Sequence, residues 1–463
     1  MTAVITQPPR TAGGFGTRGR VALVAVLLAT FMGLLDASIV TVAVPSIQRG
    51  LNASFGELQF VSAGYTLAYA VGLVTGGRLG DLYGRRRMFL VGVVLFVLAS
   101  LVCAAAPSAA ALIGARVLQG LSAAVMLPQV LSIIQHGFTG PARATALGCY
   151  GATVGLASIT GQVAGGALLA WNPFDLGWRS AFLVNVPIGA LALAIAARTV
   201  PESRGTRARL DLPGAGLLAL ALVALLLPVQ GQDLRTVAGG LAAAVAALAL
   251  FALVERRQVD PLVPMRLLAQ RRMVRGLLTV LAFYAGNAGF FLLLAYHLQS
   301  GIGQDPMGSG LVFTPLGIAF AVTSLMGRRR SSLVCGTILM AIGLAGVLTV
   351  VLAAPEAGQA GWLLPALTLS GTGQGLVAAP LIGKLLAGVD PADAGAASGV
   401  LLTATQVANA AGVALIGGLF AHALGAAPGS PAASFPDYVH ATAVTTTAVL
   451  ALAVITGFLV HER

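Results

Sequence analysis

Charge is what this chain has least of: 9% of its 463 residues are Asp, Glu, Lys or Arg, against about 25% in an ordinary soluble domain. At 57% hydrophobic, it lies above the roughly 45–50% of such domains. Together these exclude a soluble globular protein. Lysine is nearly absent. Lys384 is the single one and every other basic residue is Arg, which beside the abundant Ala and Gly reads as a composition bias. The three cysteines, Cys103, Cys149 and Cys335, have neither metal-ligand spacing nor an evident partner, which excludes a disulfide framework and reads them as packing residues. No G-x-x-x-x-G-K-[ST] loop, catalytic-triad pattern or metal-ligand cluster occurs, so ATP-driven transport by this chain alone is excluded, and no enzyme activity, cofactor or metal is expected. The net charge of +12 suggests nucleic acid at first sight. Basic residues that mark cytoplasmic loops explain it better, and no nucleic-acid partner is expected.

What is present is apolar sequence in long runs. Against the roughly 20 residues that a spanning helix needs, fourteen runs qualify: 21–45, 58–77, 88–106, 109–134, 142–170, 179–197, 212–230, 236–254, 276–299, 309–327, 333–353, 361–386, 395–424 and 439–460. The first holds Asp36 and is too long and too polar for a signal-peptide core. With the amino terminus inside, cytoplasmic links and tails hold all 27 basic residues except Arg49, Arg179 and Arg235 outside and Arg116 within a span. One missed or invented helix would scramble that asymmetry. The chain therefore reads as an all-α polytopic protein of the plasma membrane with both termini cytoplasmic. The basic links 198–211 and 255–275 bracket the seventh and eighth runs. Removing that pair leaves six runs on each side, a plan common among secondary transporters. The expected organisation is a tail at 1–20, a six-helix bundle at 21–200, an inserted helix pair with its linkers at 201–275, and a second six-helix bundle at 276–463. A glycine-arginine run, Met326-Gly327-Arg328-Arg329-Arg330, falls at the link corresponding to the one after run two.

That earlier link is Gly77-Arg78-Leu79-Gly80-Asp81-Leu82-Tyr83-Gly84-Arg85-Arg86-Arg87. It resembles the signature loop of the major facilitator superfamily, G-x-L-x-D-x-x-G-R-[KR]-[KR]. The resemblance extends through Leu35-Asp36-Ala37-Ser38-Ile39-Val40-Thr41-Val42-Ala43-Val44-Pro45, Arg116-Val117-Leu118-Gln119-Gly120, Trp178 to Gly189, Ala396-Ala397-Ser398-Gly399 and Gln406. Together these are similar to the fourteen-helix drug:proton antiporters, over nearly the whole chain. The fold implied is the major facilitator fold, with two six-helix bundles plus an inserted helix pair. The family's antiporter motif G-P-x-x-G-G is here Gly161-Gln162-Val163-Ala164-Gly165-Gly166, with Gln162 in place of the proline.

Asp36 is the only acid deep in an apolar run and Arg116 the only deep base. A charge at mid-bilayer costs about 2.5–3.5 kcal/mol on insertion scales, so each is expected to face the protein interior and find a partner. Counted from the ends of their runs, both lie roughly 10–14 Å below the outer face. They form either a proton-coupling pair or a static ion pair locking two helices. Burial disfavours a carboxylate and a guanidinium favours it, so a substrate that disturbs such a pair can switch its protonation; the resemblance favours coupling. Gln119 shares a helical face with Arg116 and is expected in the same network. In the charged loop, Gly80 and Gly84 permit a tight turn. Asp81 and Arg85 are candidates for a latch between the two halves, with Asp81 facing the helix that begins near Gly395, as the resemblance suggests; the alternative is that the arginines only set topology. Gly151, Gly155, Gly161 and Gly165 form small-residue spacings for close helix contact. Polar residues deep in the runs are candidates for a substrate cavity or for interhelical bonds: Tyr65, Tyr69, Gln129, Gln162, Tyr284, Asn287, Gln374, Gln406 and Asn409. His297 is placed at an outer helix end without a proton role.

The function expected is proton-coupled export of a small amphipathic compound, a drug, dye or secondary metabolite, by a monomer in the lipid bilayer. A single deep carboxylate implies neutral or monocationic substrates. The alternatives are an exporter or importer of one metabolite on the same fold, and a membrane sensor or scaffold without transport.

Overall fold

The computed structural model describes residues 16–204, 212–226, 234–257, 269–326, 331–386, 394–425, 428–429 and 432–461. Among them are fifteen α-helices and no strand. These are α1 (Thr17–Leu51), α2 (Phe55–Tyr83), α3 (Arg85–Ala105), α4 (Ala109–Gly137), α5 (Gly140–Trp171), α6 (Ser180–Leu183), α7 (Asn185–Thr199), α8 (Leu212–Leu226), α9 (Leu234–Glu255), α10 (Arg271–Tyr296), α11 (Pro306–Met326), α12 (Ser331–Ala353), α13 (Gln359–Leu386), α14 (Ala394–Leu424) and α15 (Phe435–His461). Nine helices of the described residues are long and apolar enough to cross a membrane, ten if the bent α2 is one span. Leu98, Leu118, Ile318, Ile342 and Phe458 point outward and are more than half exposed. Such outward apolar side chains are wrong for water and right for lipid, and the chain is a multi-pass membrane protein.

Local chemistry sets the helix ends. At the start of α2, Ser54 Oγ accepts the Glu57 N–H while Glu57 Oε2 accepts the Ser54 N–H at 2.8 Å, a reciprocal cap. Ser108 Oγ accepts the Ala111 N–H in the same way before α4. Asn52 and Asn172 end α1 and α5 in the left-handed conformation, which Asn tolerates better than most residues. Two prolines act differently from each other. Pro45 lies inside α1, where the sequence reading ended the run, and the helix continues to Leu51. Its last turns therefore rise beyond the start of α4. Pro187 has no N–H to give Leu183, so the hydrogen-bond ladder is interrupted at Val184 between α6 and α7, while Val184 keeps helical dihedrals and Gly177–Thr199 runs as one span.

In the first part of the chain, α4 packs on α2 and α3, α1 on α5 and α7, and α3 on α7. In the second part, α13 packs on α11 and α12, and α10, α14 and α15 pack on one another. The parts meet where α2 lies against α14 and α5 against α11. Helices α8 and α9 pair with each other, and α8 touches both α2 and α14. Its Leu218 lies against the alanine-rich seam of Ala63, Leu67, Ala70, Ala410 and Ala414.

Candidate functional site

Asp36 lies in the middle of α1 and is 0% exposed. Its carboxylate accepts from three side chains on two other helices. Arg116 Nη1 of α4 donates to Oδ2 at 2.5 Å, Gln119 Nε2 of α4 to Oδ1 at 2.9 Å, and Asn185 Nδ2 of α7 to Oδ1 at 2.7 Å. Charge-assisted bonds of this length are the strong class. Arg116 also donates from Nη1 to Gln119 Oε1 at 2.6 Å and from Nε to the Val61 carbonyl at 3.1 Å. Its guanidinium lies 4.3 Å over the Tyr65 ring and 5.8 Å from that of Phe182. Ser100 Oγ of α3 accepts from Gln119 at 2.8 Å and from Asn185 at 3.2 Å, and donates to the Phe96 carbonyl. Cys103 Sγ lies 3.6 Å from Gln119 Oε1.

The network ties together α1, α2, α3, α4 and α7 with no solvent exposure at Asp36 and almost none at Arg116. Close approach of α2 and α4 makes it possible. A Cβ on Gly120 would collide with the Tyr65 carbonyl and reach Ala68 Cβ at 3.0 Å. Only glycine lets Tyr65 sit under the guanidinium.

Sequence reasoning singled out Asp36, Arg116 and Gln119, and the structure brings them into contact. It missed Asn185 and Ser100. Asn185 is the lone polar residue in an otherwise apolar stretch from Ala181 to Ile188, which was the available signal. Its Oδ1 is buried without a hydrogen-bond partner.

The charged loop is a one-residue link between α2 and α3. Gly84 has φ 106° and its N–H donates to the Gly80 carbonyl at 3.0 Å. Arg85 is buried and pairs with Asp81 at 2.8 Å. A residue the sequence reading did not single out holds the other side. Glu202, just beyond α7, accepts the N–H groups of Arg86 at 3.1 Å and Arg87 at 3.2 Å, while the Ser203 carbonyl accepts that of Arg85 at 2.9 Å. The Arg86 guanidinium donates to the Ala197 carbonyl. Helix amino ends favour such anionic acceptors. Gly80 lies against the Gln129 side chain. Residues 387–393, which precede the helix expected to face Asp81, lie outside the described residues, as do residues 327–330 of the second glycine-arginine run.

The remaining candidates do not converge on one cluster. Tyr69 is buried beside Tyr65, with ring centres 6.4 Å apart. Gln129 donates to the Gly76 and Val125 carbonyls at 2.8 and 3.1 Å and so joins α4 to α2. Gln162 is buried with Oε1 unpartnered. Gly161 and Gly165 lie against α1 and Gly166 against α11, whereas nothing approaches Gly151. Tyr284 packs edge-on against Phe283 and Asn287 lies half-buried on the same helix, α10. Gln374 donates to Ser370 Oγ within α13. Asn409 donates to Gln406 at 3.0 Å on α14. His297 is fully buried in a π-helical turn that extends α10, between Gln359 at 2.7 Å and Thr442 at 3.0 Å.

Among the described residues, several bonds between the two parts of the chain lie at the end away from the Arg85–Arg87 cluster. Gln48 donates to the Pro428 carbonyl at 2.6 Å and accepts from the Tyr296 hydroxyl at 3.1 Å. Gln299 donates to the Val42 carbonyl at 3.1 Å, and Gln59 to that of Val413 at 3.2 Å.

A multi-pass helical membrane protein with a buried carboxylate–guanidinium pair is the class that this fold and site define. Residues 26–413 match the Major Facilitator Superfamily, and the chain belongs to that family. It is 37% identical over 421 residues to a protein named probable actinorhodin transporter from Streptomyces coelicolor, covering 87% of this chain and 73% of that one. It is 38% identical over 465 residues to puromycin resistance protein pur8 from Streptomyces alboniger, covering 95% and 91%. Other curated relatives are likewise named as antibiotic or multidrug export and resistance proteins. A crystal structure of a bacterial homologue of the human lysosomal transporter Spinster shares the fold, with a TM-score of 0.68, 16% identity and 97% of each chain covered.

Proposed function

We propose that the protein is a proton-coupled exporter of small amphipathic, neutral or monocationic compounds, working as a drug:proton antiporter by alternating access. The observation that carries this reading is the enclosed Asp36 carboxylate, held by Arg116, Gln119 and Asn185. A charged group so deep in a membrane protein is costly. A static lock between α1 and α4 would be served as well by apolar packing. The names of the relatives support the export direction.

In this reading the chain has fourteen spans, counting α6 and α7 as one span. Two six-helix bundles rock about their interface, and α8, backed by α9, lies over the α2–α14 seam. The arginine-rich end is cytoplasmic and the end bonded through Gln48, Gln59 and Gln299 is external. Asp36 takes a proton from outside and releases it inside, and the substrate moves the opposite way. One elementary charge crossing gains about 2.3 kcal/mol per 100 mV, so one proton per cycle supports useful accumulation. Asp81, Arg85 and the flanking glycines latch the cytoplasmic end. The protein works as a monomer in the plasma membrane with both termini inside.

The test is accumulation of a panel of compounds in an efflux-deficient host, with and without a protonophore. Lowered accumulation that a protonophore abolishes is expected; accumulation indifferent to the protonophore counts against coupling. The single-compound names of two relatives, for actinorhodin and puromycin, favour a second reading, an exporter dedicated to one metabolite. Resistance to one member of the panel alone would select it, and broad cross-resistance would reject it.

A further inference from the structure

One short helix has its two ends at two different sites. Asn185 opens α7 and bonds to Asp36. At the other end, the Ala197 carbonyl, Glu202 and Ser203 hold Arg85, Arg86 and Arg87, the first turn of α3. The helix between them is fifteen residues long, about 22 Å. We propose that α7 is a strut that transmits the protonation state of Asp36 to the α2–α3 hinge, with Asn185 as the positioning residue that reads the proton. The proposal rests on Asp36 being the proton site.

The hydrogen-bond inventory around Asp36 gives Asn185 this place. As a carboxylate, Asp36 accepts from Arg116, Gln119 and Asn185. Once protonated it also has an O–H to donate. Arg116 can only donate. Gln119 Oε1 already accepts from Arg116 and lies within reach of the Cys103 thiol, and Ser100 Oγ accepts two N–H groups and donates its own hydrogen. Asn185 Oδ1 is buried and has no partner. Half a turn of the Asn185 amide exchanges an N–H donor for that free carbonyl oxygen, and the new O–H is satisfied. The titratable and charged groups around Asp36 are Arg116 from α4, Tyr65 from α2 and Cys103 from α3. The α5 surface against this stretch of α1 is glycine, Gly161 and Gly165.

Two features bear on how a change at Asn185 travels along α7. Pro187 removes one rung of the hydrogen-bond ladder between α6 and α7, a local weak point in a span whose dihedrals stay helical at Val184. The receiving end is tight. A Cβ on Gly84 would lie 2.6 Å from Glu202 Oε1, and residues 202 and 203 satisfy three otherwise orphaned N–H groups of α3. A shift of α7 therefore loosens the hinge at its backbone.

Hydrogen–deuterium exchange of the full-length protein in lipid nanodiscs, read on peptides covering residues 84–90, tests this. Asp36→Asn, which mimics the proton-loaded carboxyl, is expected to speed exchange there by about 2- to 30-fold, the range of couplings of this kind. In an Asn185→Ala background, and in the milder Asn185→Ser, the same substitution is expected to leave hinge exchange nearly unchanged. An Asn185 with a merely structural role would let Asp36→Asn act equally in both backgrounds, and that result overturns the proposal. So does an Asp36→Asn protein with unaltered hinge exchange. Gradient-driven export by the same variants separates the two levels. Loss of coupled export without a hinge change defeats the strut and spares the proton site, whereas full coupled export by Asp36→Asn defeats both.

Discussion

Replacing Arg116 by leucine removes the only charge that compensates Asp36. The substitution deletes the 2.5 Å bond to Oδ2, the bond to Gln119, the bond to the Val61 carbonyl and the stacking on Tyr65. Two neutral amides remain to hold a carboxylate that is 0% exposed. Breaking a buried pair on one side costs about 3–5 kcal/mol, because the stranded charge has lost its partner and has no water. Removing both charges is far milder for the same reason. The double variant Asp36→Asn/Arg116→Leu is therefore expected to recover most of the loss, although Arg116→Leu alone changes fewer residues. Equilibrium unfolding in mixed micelles with a denaturing detergent measures the three proteins on one scale. The expected order of stability is parent, then double variant, then Arg116→Leu. If the single and double variants unfold at the same detergent fraction, the pair is not energetically coupled and the electrostatic picture of the site is wrong.

Three further predictions concern the surroundings of the site. Glu202→Ala is expected to destabilise the protein by about 0.5–2 kcal/mol, the usual worth of a helix cap, seen as faster exchange at the start of α3; unchanged exchange there would show that the cap carries no weight. Gln129→Leu is expected to lower stability by roughly 1 kcal/mol and to leave the panel of exported compounds as it was, because its amide bonds Gly76 and Val125; a changed panel would make it a lining residue. Gln162→Ala is expected to do the reverse, changing the panel at little cost in stability, because its Oε1 has no partner to lose; an unchanged panel refutes a contact with substrate.

Much of the helical framework was legible, because a helix that meets lipid must be apolar along its length and the links must carry the charge. Limits of the runs shifted where a local rule was outweighed. α1 passes through Pro45 to Leu51, since one missing bond is minor in a helix packed on its neighbours. The meeting of Asp36 and Arg116 was legible because a buried charge demands a partner and the chain offers one of each sign. Asn185 and Ser100 were not, because an uncharged polar residue in an apolar run is equally well satisfied by its own helix. Ser100 in fact bonds to Phe96 as well as to the network. Glu202 was invisible for another reason. Its partners are backbone N–H groups more than a hundred residues away, and such groups leave no mark on sequence.

Purified protein in liposomes, with an imposed pH gradient and both substrate and proton flux recorded, tests coupling through Asp36 most directly. Coupling predicts that the parent protein moves substrate against its concentration while protons flow the other way. It also predicts that Asp36→Asn exchanges substrate only down its own gradient and carries no protons. An Asp36→Asn protein that still concentrates substrate in response to the pH gradient would contradict it.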